Sequence, residues 1–360
     1  MEEVAVAKPL AVVACAAMAF FYVAILYAPT LILRLPHPSS LKDFMIRRFI
    51  CAVISSLVSI ILCALILPLD EKQGASYLFG VYGLRLDHIL QAVIFPLSLT
   101  CLMYAGSLVL KSLLLLNSWS DIINSGGGIS FGCIKRVLQG ILASALSSAS
   151  NVMAWRNYVV APITEELVFR ACMIPLLLCG GFKTNTIIFL CPIFFSLAHL
   201  NHLLEVYSRE NFNLIKASMV IALQLGYTVI FGSYASFLFI RTGHLLAPLV
   251  AHIFCNFMGL PVLFSSSKGI VSSAFVAGML GFLWERIKTT EPILCEGEIE
   301  HLLKPLYGFI DMTSCGADGG IWPSYPEAPS NPRIGLRSRW LQRCRRTRGI
   351  AIAIAIATDI

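Results

Sequence analysis

Glu165 and Glu166 stand side by side in Ala161-Pro162-Ile163-Thr164-Glu165-Glu166-Leu167-Val168-Phe169-Arg170, and an apolar run, 171–179, follows directly. Charge at or near hydrocarbon is costly, so ionisable groups placed there mark functional sites by default. Neighbouring residues of a helix point about 100° apart, so only one of the two carboxylates can face a given pocket squarely. Glu166 and Arg170 are spaced i,i+4 and can pair on one helix face, which leaves Glu165 the freer group. A carboxylate in a low-dielectric cavity holds its proton more readily, which suits a general base working near neutral pH. A plainer account also fits: Pro162 can open a helix, and acidic side chains in a first turn are favoured by the helix dipole.

Two later apolar segments carry the other candidates. In Phe195-Ser196-Leu197-Ala198-His199-Leu200-Asn201-His202, His199 and His202 lie i,i+3 near one face; either can be a catalyst or a hydrogen-bonded core histidine. In Ala251-His252-Ile253-Phe254-Cys255-Asn256, His252 and Asn256 lie i,i+4 and can donate into one pocket, as a developing oxyanion requires. They can equally serve as hydrogen-bonding glue between helices. Of the 7 histidines, His37, His88 and His301 fall in or beside loops or in the tail, and His244 sits at a helix boundary. A base, a partner histidine and two oxyanion donors on packed helices are the parts of a water-activating amide hydrolase.

Other hydrolytic chemistries fit worse. No H-E-x-x-H zinc helix occurs, no aspartate lies inside an apolar span, and no G-x-S-x-G elbow is convincing. Zinc held by Glu165, His199 and His252 ranks below a metal-free site. Two readings from other classes stand beside the hydrolase. One is a non-catalytic membrane scaffold or chaperone on the same helices, with the polar residues as glue. The other is a transporter, for which the internal hydropathy repeats are missing.

The elements that must position these groups are set by composition. Of 360 residues 57% are hydrophobic and 13% charged, about half the charged share of a soluble domain, and mean hydropathy is +0.78. Those figures describe an all-α, polytopic transmembrane helical bundle of about eight helices. Apolar stretches of spanning length fall at about 10–33, 49–68, 89–110, 137–154, 158–179, 186–204, 214–240, 244–264 and 269–284. Arg34, Lys42, Arg47 and Arg48 crowd the first loop, while the second balances Asp70, Glu71 and Asp87 against Lys72 and Arg85. The positive-inside rule places the first loop in the cytosol and the second in the lumen. The 12 cysteines show no C-x-x-C spacing and read as small buried hydrophobes. Net charge is +7, much of it in arginines 333–348. The expected organisation is a catalytic bundle over 1–285, its motifs within 158–264, and a basic, Pro- and Gly-containing tail over 286–360, poorly ordered and dispensable for chemistry. The arginines of that tail point to lipid headgroups or solvent, and no nucleic-acid partner is expected.

At these residues the sequence resembles the type II CAAX prenyl endopeptidases, the glutamate-type Ras-converting enzymes, in their eukaryotic branch. The family's EExxxR, FxxxH and HxxxN motifs match Glu165 to Arg170, Phe195 to His199, and His252 to Asn256, in order and each beside or within an apolar segment. The FxxxH pattern selects His199 over His202, which Ala198 precedes by four. The resemblance implies an intramembrane endopeptidase that removes the C-terminal tripeptide from farnesylated or geranylgeranylated CAAX proteins of the small-GTPase type. Glu165, assisted by His199, would activate water; His252 and Asn256 would hold the oxyanion; Glu166 and Arg170 would keep the site's charge geometry. It further implies no cofactor, no metal, and residence in the endoplasmic reticulum membrane with a site open to the cytosol. Physics agrees with a bilayer site: a prenyl chain gains about 0.8 kcal/mol per buried CH₂ in lipid, so the bilayer collects such substrates.

Overall fold

A computed structural model describes residues 6–36, 38–67, 75–124, 151–203, 213–261 and 269–288, with a few single positions between 139 and 150 and at 206–207. Among the described residues the regular structure is helical throughout. Of the expected helix 137–154, positions 137, 138, 140, 141, 144, 145 and 148 lie outside them, and the described positions other than 151 are helical; nearly all of the tail 286–360 lies outside them.

Helix α1 (Lys8–Ala24) begins on Pro9 and runs on through a 3₁₀ turn to Leu31. Helix α2 (Leu41–Ile66) has a strong start: the Ser40 hydroxyl accepts from the Asp43 N–H at 3.1 Å, and Asp43 accepts from the Ser39 and Ser40 hydroxyls. A short α3 (Ala75–Val81) leads to α4 (Ile89–Met103) and α5 (Ala105–Asn124). The run 152–179, here α6, is helical from the Asn151 cap to Gly180 but is threaded with π turns at Arg156–Val160 and Leu167–Cys172. Then follow α7 (Thr184–Ala198, extended by a 3₁₀ turn His199–His202), α8 (Leu214–Thr242), α9 (Leu246–Met258) and α10 (Gly269–Lys288). Gly243 closes α8 in the left-handed conformation, φ 62°, its N–H donating to the Phe239 carbonyl at 2.8 Å.

Lys8–Leu31, Leu41–Ile66, Thr184–Asn201 and Leu214–Thr242 are long and apolar enough to cross a membrane. The expected single span 89–110 is not straight. It breaks at Tyr104, where α4 and α5 meet at 78°. Tyr104 turns out of the helix and its hydroxyl donates to the Gly259 carbonyl at 2.8 Å, a tertiary anchor that hydropathy does not show. The expected segment 244–264 likewise stops short, at Met258.

The core sits on α6. Val168, Phe169, Ala171, Cys172, Met173, Leu176 and Leu177 are fully buried, as a helix apolar all round must be. Small residues let α1 and α2 approach it. Ser56 donates to the Thr164 carbonyl at 3.4 Å, the Cys63 thiol to the Cys172 carbonyl at 3.4 Å, and the Cys15 thiol to the Met173 carbonyl at 3.8 Å. From the far side, Cys191 of α7 reaches the Phe169 carbonyl at 2.6 Å. All the cysteines described are free thiols. Large apolar side chains such as Phe20, Leu65 and Leu223 point outward, as lipid-facing positions do.

Candidate active site

The two glutamates lie in the α-helical piece Ala161–Glu166 between the two π turns of α6. A π turn carries an extra residue and re-aims the side chains on either side of it, and such turns recur at functional sites. Glu166 points into the core with no exposed surface. Its Oε1 accepts from Arg170 Nη1 at 3.1 Å and from His252 Nδ1 at 2.7 Å. Arg170 is also fully buried, its Cζ 4.5 Å from the Phe195 ring centre and 5.8 Å from that of Phe231. Gly232 makes room for it: a Cβ there would meet Arg170 Nη2 at 3.2 Å and Pro192 Cβ at 2.8 Å.

Glu165 points elsewhere, with its side chain 16% exposed. It lines an open cavity together with His199, Tyr22, Thr164, Arg48 and Arg156. His252 Nε2 stands 3.8 Å from Glu165 Oε2, so His252 touches both carboxylates, one through each ring nitrogen. His199 Nδ1 lies 2.9 Å from the Phe195 carbonyl. A carbonyl only accepts, so Nδ1 carries the hydrogen and Nε2 is the basic nitrogen of the neutral ring. Rings stack edge to face from Tyr22 through Phe169 and Phe195 to His199, with centroids 5.6, 5.1 and 4.7 Å apart. That ladder fixes the histidine against the core.

Of the residues singled out by sequence, the structure brings Glu165 and His199 to one cavity and His252 against Glu165 and Glu166. Glu166 and Arg170 form the expected i,i+4 pair. Asn256 is exposed and its Nδ2 donates to the Asn157 carbonyl at 2.8 Å; it is not among the residues lining the cavity. His244 lies away from the site, its Nε2 donating to the Asp87 carbonyl at 2.6 Å. Sequence reasoning missed Tyr22, Arg156 and Asn201 as cavity residues, and it read Arg48 only as loop charge. Their signal is tertiary: they come from α1, α2, the first π turn of α6 and the 3₁₀ turn after α7. Among the described residues no group of three His, Cys, Asp or Glu side chains converges as a metal-binding set.

The family model for type II CAAX prenyl endopeptidase Rce1-like proteins matches residues 147–258, which hold both glutamates, His199, His252 and Asn256. The chain is 60% identical over 289 residues to CAAX prenyl protease 2 of Arabidopsis thaliana, covering 80% of this chain and 92% of that protein. It is 36% identical over 253 residues to CAAX prenyl protease 2 of Homo sapiens, covering 69% of this chain and 70% of the human one. A shorter match, 39% over 115 residues, joins it to the probable CAAX prenyl protease 2 of Schizosaccharomyces pombe, covering 32% and 42%. No solved structure matches it significantly. Identity sustained over nearly the whole Arabidopsis protein leads to one conclusion: the chain belongs to the type II CAAX prenyl endopeptidases and is a multi-pass membrane protease.

Proposed function

We propose that the protein releases the C-terminal tripeptide from prenylated CAAX proteins, small GTPases among them, by water attack led by Glu165 and His199. The observation that carries this reading is the divided fate of the glutamate pair. Glu166 is locked in a buried set with Arg170 and His252, while Glu165 opens onto the cavity shared with His199. Glu165 takes a proton from a water held at His199 Nε2, and the resulting hydroxide adds to the carbonyl of the prenylated cysteine. Glu166 orients His252 as the carboxylate of a triad orients its histidine. In its doubly protonated form His252 offers an Nε2–H to the oxyanion. The Asn256 amide has two N–H donors; one is held by the Asn157 carbonyl, and the second serves the oxyanion. As the C–N bond breaks, Glu165 returns its proton to the departing amine. The step needs no cofactor and no metal.

The setting follows from charge. Arg47 and Arg48 mark the cytosolic end of α2 by the positive-inside rule, and Arg48 lines the cavity. This supports a site that opens to the cytosol, where a prenylated tail lies with its lipid in the bilayer; the endoplasmic reticulum membrane is the setting that the family resemblance implies. The test is tripeptide release from a farnesylated peptide by purified protein. Glu165→Gln is expected to lower the rate by at least about 100-fold, the lower range for loss of a general base, while the protein keeps its helical circular dichroism. Equal rates for wild type and variant would reject the mechanism, and a chelator is expected to leave the wild-type rate unchanged.

A further inference from the structure

Helix α1 turns one stripe to the core, Ala11, Ala14, Cys15, Met18, Ala19 and Tyr22, at the three- and four-residue spacing of a single helix face. Its small residues let α1 lie close to α6, and Tyr22 ends the stripe against Thr164, the residue before Glu165. The Tyr22 ring packs edge to face on Phe169, centroids 5.6 Å apart, and its hydroxyl stands 2.9 Å from Thr164 Oγ1. Counting hydrogens decides which hydroxyl donates. Thr164 Oγ1 has one hydrogen and gives it to carbonyls one turn back, Val160 at 2.8 Å and, more weakly, Ala161 at 3.3 Å. Carbonyls only accept, so Tyr22 is the donor to Thr164 and its own hydrogen is spent. The Tyr22 oxygen keeps its lone pairs, and among the described residues no other group hydrogen-bonds it. Tyr22, Thr164 and Glu165 all line the cavity, and the Glu165 carboxylate is near enough to act electrostatically on the Tyr22 hydroxyl. Beside the base, then, stands an acceptor whose polarity is fixed and whose donor is missing.

Resting on the proposed function, we propose that Tyr22 is a substrate-binding residue whose Oη accepts the N–H of the scissile amide. Glu165 must reach the scissile nitrogen to return a proton to it. That nitrogen therefore comes to the wall from which Glu165 projects, and Thr164, one Cα step of about 3.8 Å away, holds Tyr22 at the same wall. The nitrogen brings its own hydrogen, and an amide N–H taken out of water without an acceptor loses more than one hydrogen bond is worth. The acceptor also sets direction. As hydroxide adds to the carbonyl, the nitrogen turns from planar to pyramidal and its new lone pair has to face the Glu165 carboxyl. An N–H held by Tyr22 is turned aside, which leaves the lone pair toward Glu165. No proton passes through the tyrosine: the N–H stays on nitrogen and the Tyr22 hydrogen stays on Thr164. The C–N bond breaks as the Glu165 proton goes to the lone pair, releasing the acid of the prenylated cysteine and the amine of the tripeptide. Thr164 keeps the arrangement in register, because a Tyr22 hydrogen turned into the cavity would oppose the incoming N–H.

The experiment compares two farnesylated peptides, one with the scissile amide and one with an ester there, oxygen in place of N–H. The ester brings no hydrogen for Tyr22 to accept. The reading is the amide-to-ester ratio of kcat/KM for wild type, Tyr22→Phe, Thr164→Val and Thr164→Ser. Tyr22→Phe is expected to lower kcat/KM for the amide by about 10-fold, the order of one buried hydrogen bond, and to leave the ester within about twofold of wild type. The amide loss is expected in kcat more than in KM, because the bond matters most as the nitrogen pyramidalises. Thr164→Val, which frees the Tyr22 hydrogen, is also expected to slow the amide selectively, whereas Thr164→Ser keeps the acceptor and is expected to hold the wild-type ratio. Tyr22→Phe or Thr164→Val slowing both substrates equally, as loss of packing between α1 and α6 would, overturns the acceptor role and leaves the proposed function standing. Unchanged amide cleavage by Tyr22→Phe overturns it too, and where that variant does not fold the two Thr164 variants decide. A wild type that releases no tripeptide from the amide overturns the proposed function, and the acceptor role with it.

Discussion

Two adjacent glutamates of identical chemistry end in opposite environments, and the difference is one helical step. Glu166 has lost all contact with solvent and its Oε1 serves both Arg170 and His252. Removing one member of such a buried set strands the other charge, which typically costs about 3–5 kcal/mol. Glu166→Gln and Arg170→Met are each expected to lower the unfolding temperature in micelles strongly. The double variant Glu166→Met with Arg170→Met, which buries no unpaired ion, is expected to recover much of that loss in the same thermal scan. It is not expected to recover tripeptide release, because His252 has lost the carboxylate that turns it. A double variant as unstable as the singles would mean that the pair contributes shape and not charge.

At the scale of elements, two loops are clamped together and two helices are packed through glycine. Gly83, at φ 69°, lets its carbonyl accept from the Leu245 N–H at 2.9 Å; a Cβ there would stand 2.7 Å from that nitrogen. Arg85 and Asp87 pair beside it, and His244 donates to the Asp87 carbonyl. Burial lowers the His244 pKa below the usual imidazole value, with opposing contributions from the Asp87 carbonyl and carboxylate, and the Arg85 hydrogen bond lowers that of Asp87. A histidine kept neutral in the fold binds fewer protons than in the unfolded chain. Its contribution is therefore present above about pH 6.5 and is lost as pH falls toward the lowered native value. Thermal stability is expected to decline on acidification from pH 7 to pH 5, and His244→Gln to flatten that decline; parallel curves would remove His244 as the cause. In α10, a Cβ on Gly278 would run into the Leu102 carbonyl oxygen of α4 and stand 2.6 Å from Ala105 Cβ. Gly278→Ala is expected to destabilise by about 1–3 kcal/mol, the usual cost of overpacking, seen as a lower midpoint in thermal unfolding.

For the molecule as a whole, α6 is the axis. α1 and α2 close on it through small residues, and α7 reaches it from the far side through Cys191. The lining of the cavity runs from Tyr22 to Asn201, and His252 completes the buried set behind it. These residues all precede α10. A chain ending after Lys288 is therefore expected to release tripeptide at the full chain's kcat/KM, measured on the same farnesylated peptide. A large fall would show that residues beyond 288 shape the site.

Much of this was legible in the sequence. Low charge content and recurrent apolar stretches determine a helical membrane bundle, because lipid cannot satisfy an open backbone. The i,i+4 rule alone pairs Glu166 with Arg170 and leaves Glu165 the freer carboxylate, since both consequences follow from a single helix. The break at Tyr104, the π turns around the glutamates, the His252–Glu166 bond and the meeting of Arg48 with Arg156 were not legible. Each depends on side chains that converge from separate elements, and hydropathy and spacing record only what lies along one element. Sequence determined which groups are present and which local pairs they form; the packing of α1, α2, α7 and α9 around α6 decided which of them share a cavity.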